Sequence, residues 1–131
     1  MRIHDADHIR SIITAPGVWP WVSEGASAAD YKPQMGAGIY LQAGAGFLLF
    51  RPWSVGWWDV HVAMPRKSGP AKDVVLPAFG YMRSNHAAVG FVARMSSRNG
   101  AVIRLARSVG FVECGRIHGC LGADMVIMEM K

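Results

Sequence analysis

The sequence of 131 residues has few of the features that mark secreted or membrane-spanning proteins. Its two cysteines, Cys114 and Cys120, are too few and too close together for a disulfide framework and fit reduced intracellular thiols. The longest apolar run, residues 44–50, is far too short to span a bilayer. The N-terminal segment is too polar for a secretory signal. We therefore expect a cytoplasmic protein without a membrane segment.

Acidic residues are also scarce, since nine Asp and Glu stand against 14 Lys and Arg, for a net charge of +5. This balance favours an anionic partner, and a nucleotide-bearing cofactor, nucleic acid or plain solubility would all produce it. Nucleic-acid binding rests on net charge alone, because the chain lacks a basic surface interleaved with aromatic residues on which bases would stack. We therefore expect no nucleic-acid partner.

Nothing in the sequence divides the chain or repeats, so residues 1–131 are predicted to form a single α+β domain. Asp5 is placed to cap a helix at 6–14. A second helix begins at Asn99 and is amphipathic. A further helix is expected from about residue 70, kinked or split by Pro77 and Gly80. Alternating or apolar runs predict six strands, at 39–43, 46–53, 56–64, 88–95, 111–117 and 124–130. The first three are predicted to form an antiparallel meander.

Two segments suggest chemistry, although each also has an ordinary structural interpretation. Residues 66–71, RKSGPA, form a basic, glycine-containing turn before a helix, where free backbone N–H groups and the helix dipole favour a phosphate. Residues 98–111, RNGAVIRLARSVGF, form a helix that Asn99 opens and Gly110 closes. Most basic turns are only turns, and a well-capped surface helix is common. The order and separation of the two segments give them weight.

Together they resemble the GCN5-related N-acetyltransferase superfamily, or GNAT family. The resemblance covers nearly the whole chain and is strongest from Trp57 onward. The strand WDVHVAMP resembles the E-V-H segment of small acetyltransferase-like proteins encoded by phages and prophages. The family's pyrophosphate loop, Q/R-x-x-G-x-G/A, is matched by Arg66, Gly69 and Ala71. Its helix, N-x-x-A-I-x-L-Y-x-x-x-G-F, is matched by Asn99, Val102, Ile103, Leu105, Ala106, Gly110 and Phe111.

The resemblance implies a mixed, mostly antiparallel central sheet flanked by helices, with an acyl-CoA cleft where two central strands splay apart. It implies transfer of an acetyl group from acetyl-CoA to a primary amine, on a small molecule or a protein, by direct attack and without a metal. The strand backbone at Val62, Ala63 and Met64 would pair with pantetheine. The pyrophosphate would be held by Arg66, Lys67, Ser68, Gly69 and Ala71, and the pantetheine arm would be reached by Asn99.

Asp59 and His61 are the catalytic candidates, because the attacking amine must lose a proton to a carboxylate or an imidazole. Two residues apart on a strand, their side chains are predicted to share one face of the sheet. A backbone N–H near Val62 would polarise the thioester carbonyl. The alternatives are that Asp59 only pairs with a neighbouring Arg and that His61 is an interior histidine without a titrating role.

Some features of the sequence depart from the family pattern or extend it. Ala106 replaces the tyrosine that protonates the leaving thiolate, which leaves open a GNAT-like phage or prophage domain used for binding or assembly. The shortage of carboxylates disfavours a polyamine acceptor. Cys114, His118 and Cys120 make only a weak zinc case, because a fourth ligand is lacking. Exposed tryptophans and sheet edges make a homodimer a reasonable expectation.

Overall fold

The computed structural model describes residues 2–22, 29, 31–65, 71–119 and 122–131. In these ranges the chain contains four α-helices, a 3₁₀ turn at Met35–Ala37 and six strands. The helices are α1 (Ala6–Ile13), α2 (Trp19–Val22), α3 (Ala71–His86) and α4 (Gly100–Val109). The strands are β1 (Ile39–Ala43), β2 (Gly46–Ser54), β3 (Trp57–Ala63), β4 (Gly90–Ser96), β5 (Val112–Ile117) and β6 (Met125–Met130).

The six strands form one sheet in the order β1-β2-β3-β4-β6-β5. Every neighbouring pair is antiparallel except β3 and β4, which run parallel. The α+β class, the opening meander of β1, β2 and β3, and the mostly antiparallel sheet are as predicted. The strand β6 lies between β4 and β5, so β5 forms an edge of the sheet and is largely exposed.

Helices cover both faces of the sheet, and each face carries its own hydrophobic cluster. The larger cluster lies under α3 and α4 and contains interlocking aromatic rings, among them Phe50, Phe79 and Phe91. The smaller cluster joins Ile9 and Ile12 of α1 to alternate residues of β1, β2 and β3. Because successive strand residues point to opposite faces, the face under α1 is the one that also carries Asp59 and His61.

The helix ends follow the chemistry that the sequence indicates. The Asp5 carboxylate accepts hydrogen bonds from the first turn of α1. The Asn99 side chain accepts a hydrogen bond from the Val102 backbone N–H, and Gly110 ends α4 in the left-handed conformation at φ 117°. The predicted limits of α1 and α4 are therefore confirmed.

The sequence predicted that Pro77 and Gly80 kink or split the helix after residue 70, and the helix is not split. The helix α3 runs unbroken for 16 residues with Pro77 inside it. Proline removes one backbone donor and costs about 3 kcal/mol in a helix interior. Four residues of α3 pack fully into the larger cluster, and burial of this kind outweighs such a local cost. These residues are Val75, Ala78, Phe79 and Met82.

Within the described ranges, no helix combines the length and apolarity that crossing a bilayer requires.

Candidate active site

The parallel pair β3 and β4 separates before either strand ends. Their pairing runs from Trp57 opposite Gly90 to Val60 opposite Ala93. Beyond this point β3 continues through Ala63 and β4 through Ser96. The two strands therefore splay, and the edge of β3 that faces β4 is left open over its last three residues, as the sequence resemblance predicted. Backbone groups on such an edge are available to an extended ligand.

The open end of the splay is also where two helices begin. Parallel strands have their carboxyl ends at the same edge of a sheet, and α3 follows β3 while α4 follows β4. Both helices therefore begin after strands that end at the same edge of the sheet. Helix N-termini favour anions. Among the predicted cofactor contacts, Val62 and Ala63 end β3 and Met64 follows it directly. Ala71 is the first residue of α3, and Asn99 caps α4. The remaining predicted loop contacts, Arg66, Lys67, Ser68 and Gly69, lie outside the described residues.

Asp59 is the charged centre of the splay. Its side chain is 4% exposed, and its Oδ2 atom lies 3.1 Å from Arg51 Nη2, 3.1 Å from Arg94 Nη2 and 2.8 Å from His61 Nε2. The four side chains come from three adjacent strands and share one face. The other carboxylate oxygen, Oδ1, is buried and has no hydrogen-bond partner among the described residues.

The surroundings of Asp59 keep its carboxylate ionised. Burial by itself raises the pKa of Asp59, but the hydrogen bond and charge of His61 and the charge of Arg94 outweigh it and lower the pKa to about 2. A carboxylate that is buried, ionised and fully engaged through Oδ2 does not reach a substrate. Asp59 is therefore placed to orient the groups around it.

His61 has the access that Asp59 lacks, because its side chain is 40% exposed. Its Nε2 atom lies 2.8 Å from the Asp59 carboxylate and 2.5 Å from Arg51 Nη2. One ring nitrogen either donates to the carboxylate or accepts from the guanidinium, so the tautomer decides which contact is a hydrogen bond. Donation to Asp59 is the favoured arrangement, since a carboxylate is the stronger acceptor. In neutral His61 the other nitrogen, Nδ1, then carries the lone pair.

A cavity of about 140 Å³ adjoins His61 on the face of the sheet under α1. Its lining is mostly apolar, with one guanidinium, one imidazole and two phenols. The Tyr40 phenol is hydrogen-bonded to the Tyr31 phenol, and burial, the charge of Tyr31 and this hydrogen bond raise the pKa of Tyr40. Trp19 of α2 contacts the Tyr31 ring edge-on. The lining residues are Ile13, Tyr31, Tyr40, Phe47, Leu49, Arg51, His61, Val62 and Ala63.

The three tryptophans of β2 and β3 contact neighbouring residues, and Trp53 is mostly exposed. The Trp57 ring lies against Gly90 of the neighbouring strand, where a Cβ atom would come within 2.5 Å of the ring. Trp58 makes an edge contact with His86, and the Arg94 guanidinium lies 5.6 Å from the centre of the exposed Trp53 ring. None of the three lines the cavity.

The groups that resembled metal ligands behave as ordinary surface residues where they are described. Cys114 is exposed and donates to the Ile127 carbonyl, and His118 Nδ1 lies 3.4 Å from Asp124 Oδ2. Cys120 lies outside the described residues. In the ranges that the structure covers, no group of three or more His, Cys, Asp and Glu side chains is arranged to hold a metal.

Four functional candidates were missing from the sequence prediction: Arg51, Arg94, Tyr31 and Tyr40. Arg51 and Arg94 come from strands on either side of β3, in registers that only the folded sheet defines. Tyr31 belongs to a segment without periodicity, 18–33, so no pattern marked it. The alternation of β2 does place Arg51 on the same face as Phe47, which was the one signal available.

Comparison with known proteins identifies the fold. No protein-family model matches the sequence, and no curated protein matches it. A GNAT-family acetyltransferase from Bacillus anthracis matches 95% of this chain and 87% of its own, with a TM-score of 0.68 and 13% identity. A spermidine N-acetyltransferase mutant from Vibrio cholerae matches 70% of this chain at a TM-score of 0.59 and 13% identity.

A putative acetyltransferase from Salmonella typhimurium, solved with its cofactor acetyl-CoA, matches 71% of this chain and 58% of its own, with a TM-score of 0.58 and 19% identity. The matched region is 63% of the Vibrio cholerae protein, less than two thirds of its length. At these identities the similarity establishes that this chain has the GNAT fold.

Proposed function

We propose that the chain is an N-acetyltransferase that moves an acetyl group from acetyl-CoA to a primary amine. The observation that carries the proposal is the position of His61, held by a buried carboxylate beside an apolar cavity at the point where β3 separates from β4. The fold alone would not support a reaction, because one fold hosts many functions. An oriented imidazole at the splay supplies the chemistry that the fold leaves open.

The described residues fit an acyl-CoA. The open edge of β3 at Val62 and Ala63, continued by Met64, offers backbone partners to the pantetheine arm. The start of α3 at Ala71 offers free N–H groups to the pyrophosphate, with the loop 66–70 completing that site as a sequence prediction. When bound, acetyl-CoA supplies a thioester whose carbon–sulfur bond breaks as the amine nitrogen bonds to the acetyl carbon.

The proposed roles of the protein groups follow from their geometry. His61 takes the proton of the amine at Nδ1, the ring nitrogen that donation to Asp59 leaves unprotonated. Asp59 acts as a positioning residue, because its buried carboxylate fixes the tautomer and stabilises the imidazolium that forms. A backbone N–H near Val62 polarises the thioester carbonyl. We propose that the leaving thiolate takes its proton from water, since buried Ala106 has no group to donate.

The presence of alanine at position 106, where the family has a tyrosine, favours a second candidate, a GNAT-fold domain that binds without catalysis. The resemblance to proteins encoded by phages and prophages stays a prediction, as does a homodimer. The two candidates differ in one measurable respect, because both allow binding of acetyl-CoA and only the first predicts release of free CoA when an amine is present.

The test begins with calorimetric titration of acetyl-CoA into the protein. We expect micromolar binding, roughly −8 kcal/mol, that Arg66→Glu abolishes. Arg107→Glu is the matched control, because it makes the same charge reversal in the last turn of α4, where a helix terminus does not attract anions. Equal loss in both variants would show a general charge effect, and absence of binding by the folded protein would refute the proposed function.

Turnover is then measured as the appearance of free thiol. His61→Gln is expected to retain acetyl-CoA binding and to lower kcat by about 10²- to 10⁴-fold, the usual contribution of a general base. Asp59→Asn is expected to lower kcat and to alter its pH profile, which a purely structural role would not do. Binding without turnover by the parent protein across a broad amine panel would favour the second candidate.

A further inference from the structure

The charges beside the cavity do not balance. Among the described residues, Asp59 carries the one negative charge in contact with Arg51 and Arg94, which carry one positive charge each. His61 adds charge only when it is protonated, so the cluster holds a surplus of at least one positive charge. Arg51 is the member of this pair of arginines that lines the cavity. The cavity therefore favours a ligand that carries an anionic group.

We propose that the cavity holds an amine acceptor that also bears a carboxylate and an apolar side chain, that is, an α-amino acid with a ring-sized or branched apolar side chain. The inference rests on the proposed function, because it names the substrate class of the same site. The carboxylate binds the Arg51 guanidinium, the side chain occupies the apolar part of the cavity, and the amine lies beside His61.

The spacing of the two polar groups suits such a molecule. Arg51 Nη2 lies 2.5 Å from the His61 ring at Nε2, and both side chains line the same small cavity. A carboxylate on a free N–H of the guanidinium and an amine at Nδ1 would therefore share that cavity. In an α-amino acid one carbon separates them. A planar guanidinium also matches the geometry of a carboxylate better than an ammonium group would.

The size of the cavity agrees with the proposed side chain. A volume of about 140 Å³ is close to that of an apolar protein cavity of roughly 150 Å³ that accommodates benzene. Ile13, Phe47 and Leu49 supply an apolar wall, and Tyr40 supplies a ring. The volume and the apolar wall therefore suit a cyclic or branched hydrocarbon side chain.

The same lining disfavours a polyamine. No carboxylate is among the described residues that line the cavity, and the nearby Asp59 is buried and already bound to two guanidiniums. A second ammonium group in the cavity would face the Arg51 charge without a counter-ion from the part of the chain that the structure describes. Desolvation of such a charge is costly unless it is paired.

The test compares L-phenylalanine with L-phenylalaninamide, which differs in lacking the negative charge, and with spermidine. We expect kcat/KM to be about ten- to a hundred-fold higher for the acid than for the amide, equivalent to about 1.4 to 2.8 kcal/mol. Arg51→Gln is expected to abolish this preference. Arg94→Gln is the matched control, because Arg94 makes the same 3.1 Å contact with Asp59 and has nearly the same exposure but does not line the cavity.

A binding measurement separates this inference from the proposed function. The probe is 3-phenylpropanoate, which has the carboxylate and the ring but no amine to acetylate. Calorimetric binding that Arg51→Gln removes and Arg94→Gln retains would support the inference even if the protein turned over no amine. Failure of the probe to bind, or equal use of acid and amide, would overturn the inference while acetylation of other amines left the proposed function standing.

Discussion

Replacing Asp59 with asparagine tests whether the ionised carboxylate of this residue stabilises the folded state. The change keeps the size of the side chain and removes its negative charge. The two guanidiniums and His61 then lose the anion that all three contact. At neutral pH we expect Asp59→Asn to lower the free energy of unfolding. The informative quantity is how the difference from the parent protein changes with pH.

The size of the change follows from the pKa of Asp59. Folding lowers this pKa from 3.8 to about 2, so the ionised form is favoured in the folded state. The corresponding stabilisation is present above pH 3.8 and is lost as the pH falls through 2. Each tenfold change in the protonation equilibrium is about 1.4 kcal/mol, which gives an upper limit of about 2 to 3 kcal/mol. Screening of the half-exposed partners brings the expected value to about 1 to 2 kcal/mol.

The assay is urea unfolding of both proteins at pH 7, 5, 3.5 and 2.5, with the difference in unfolding free energy plotted against pH. We expect this difference to be constant above pH 5 and to shrink by about 1 to 2 kcal/mol toward pH 2.5. Glu113→Gln is the control, since its carboxylate is bound by Arg116 at an exposed site and water screens the pair. The control should show a smaller change.

A difference that stays constant from pH 7 to 2.5 would refute this reasoning, because it would mean that Asp59 ionises equally well in both states. A difference that grows as the pH falls would also contradict it, since the pKa of Asp59 would then be raised by folding. Either outcome would remove the basis for treating His61 as an imidazole oriented by a permanent carboxylate.

Two further substitutions test neighbouring parts of the site. Asn99→Ala should lower the free energy of unfolding by about 1 kcal/mol through loss of the helix cap. A parallel calorimetric titration should show weaker acetyl-CoA binding. Unchanged affinity would mean that Asn99 caps the helix and does not bind the cofactor. Gly90→Ala should cost about 1 to 3 kcal/mol in urea unfolding, because the new Cβ would meet the Trp57 ring. Gly80→Ala is its control and should be neutral or stabilising by up to about 1 kcal/mol, since nothing lies within 4 Å of the new Cβ and alanine favours a helix; equal losses in both would contradict the packing argument.

Much of the fold could be predicted from local patterns. Asp5 and Asn99 cap the helices that follow them, and Gly110 ends α4, because these effects act within one turn of the chain. Strands with alternating or apolar runs were found within two residues of their observed limits. The helix α3 is not split at Pro77, because its tertiary packing outweighs the local effect of the proline.

The candidate site could be predicted only in part. Asp59 and His61 lie two residues apart on one strand, so strand geometry alone places them on one face, and their contact confirms it. The separation of roles between them depends on burial of Asp59 and on two arginines from other strands. No local pattern contains that information.

The sequence by itself determined which segments become helices and strands, the charge balance of the chain and the pairing of Asp59 with His61. The charge balance follows from the composition, and the other two depend on interactions between residues a few positions apart. Only the tertiary structure decided the insertion of β6 between β4 and β5, the residue at which β3 separates from β4 and the placing of Arg51 beside His61 at the cavity. These depend on the register between strands, which is fixed when the whole sheet packs against its helices.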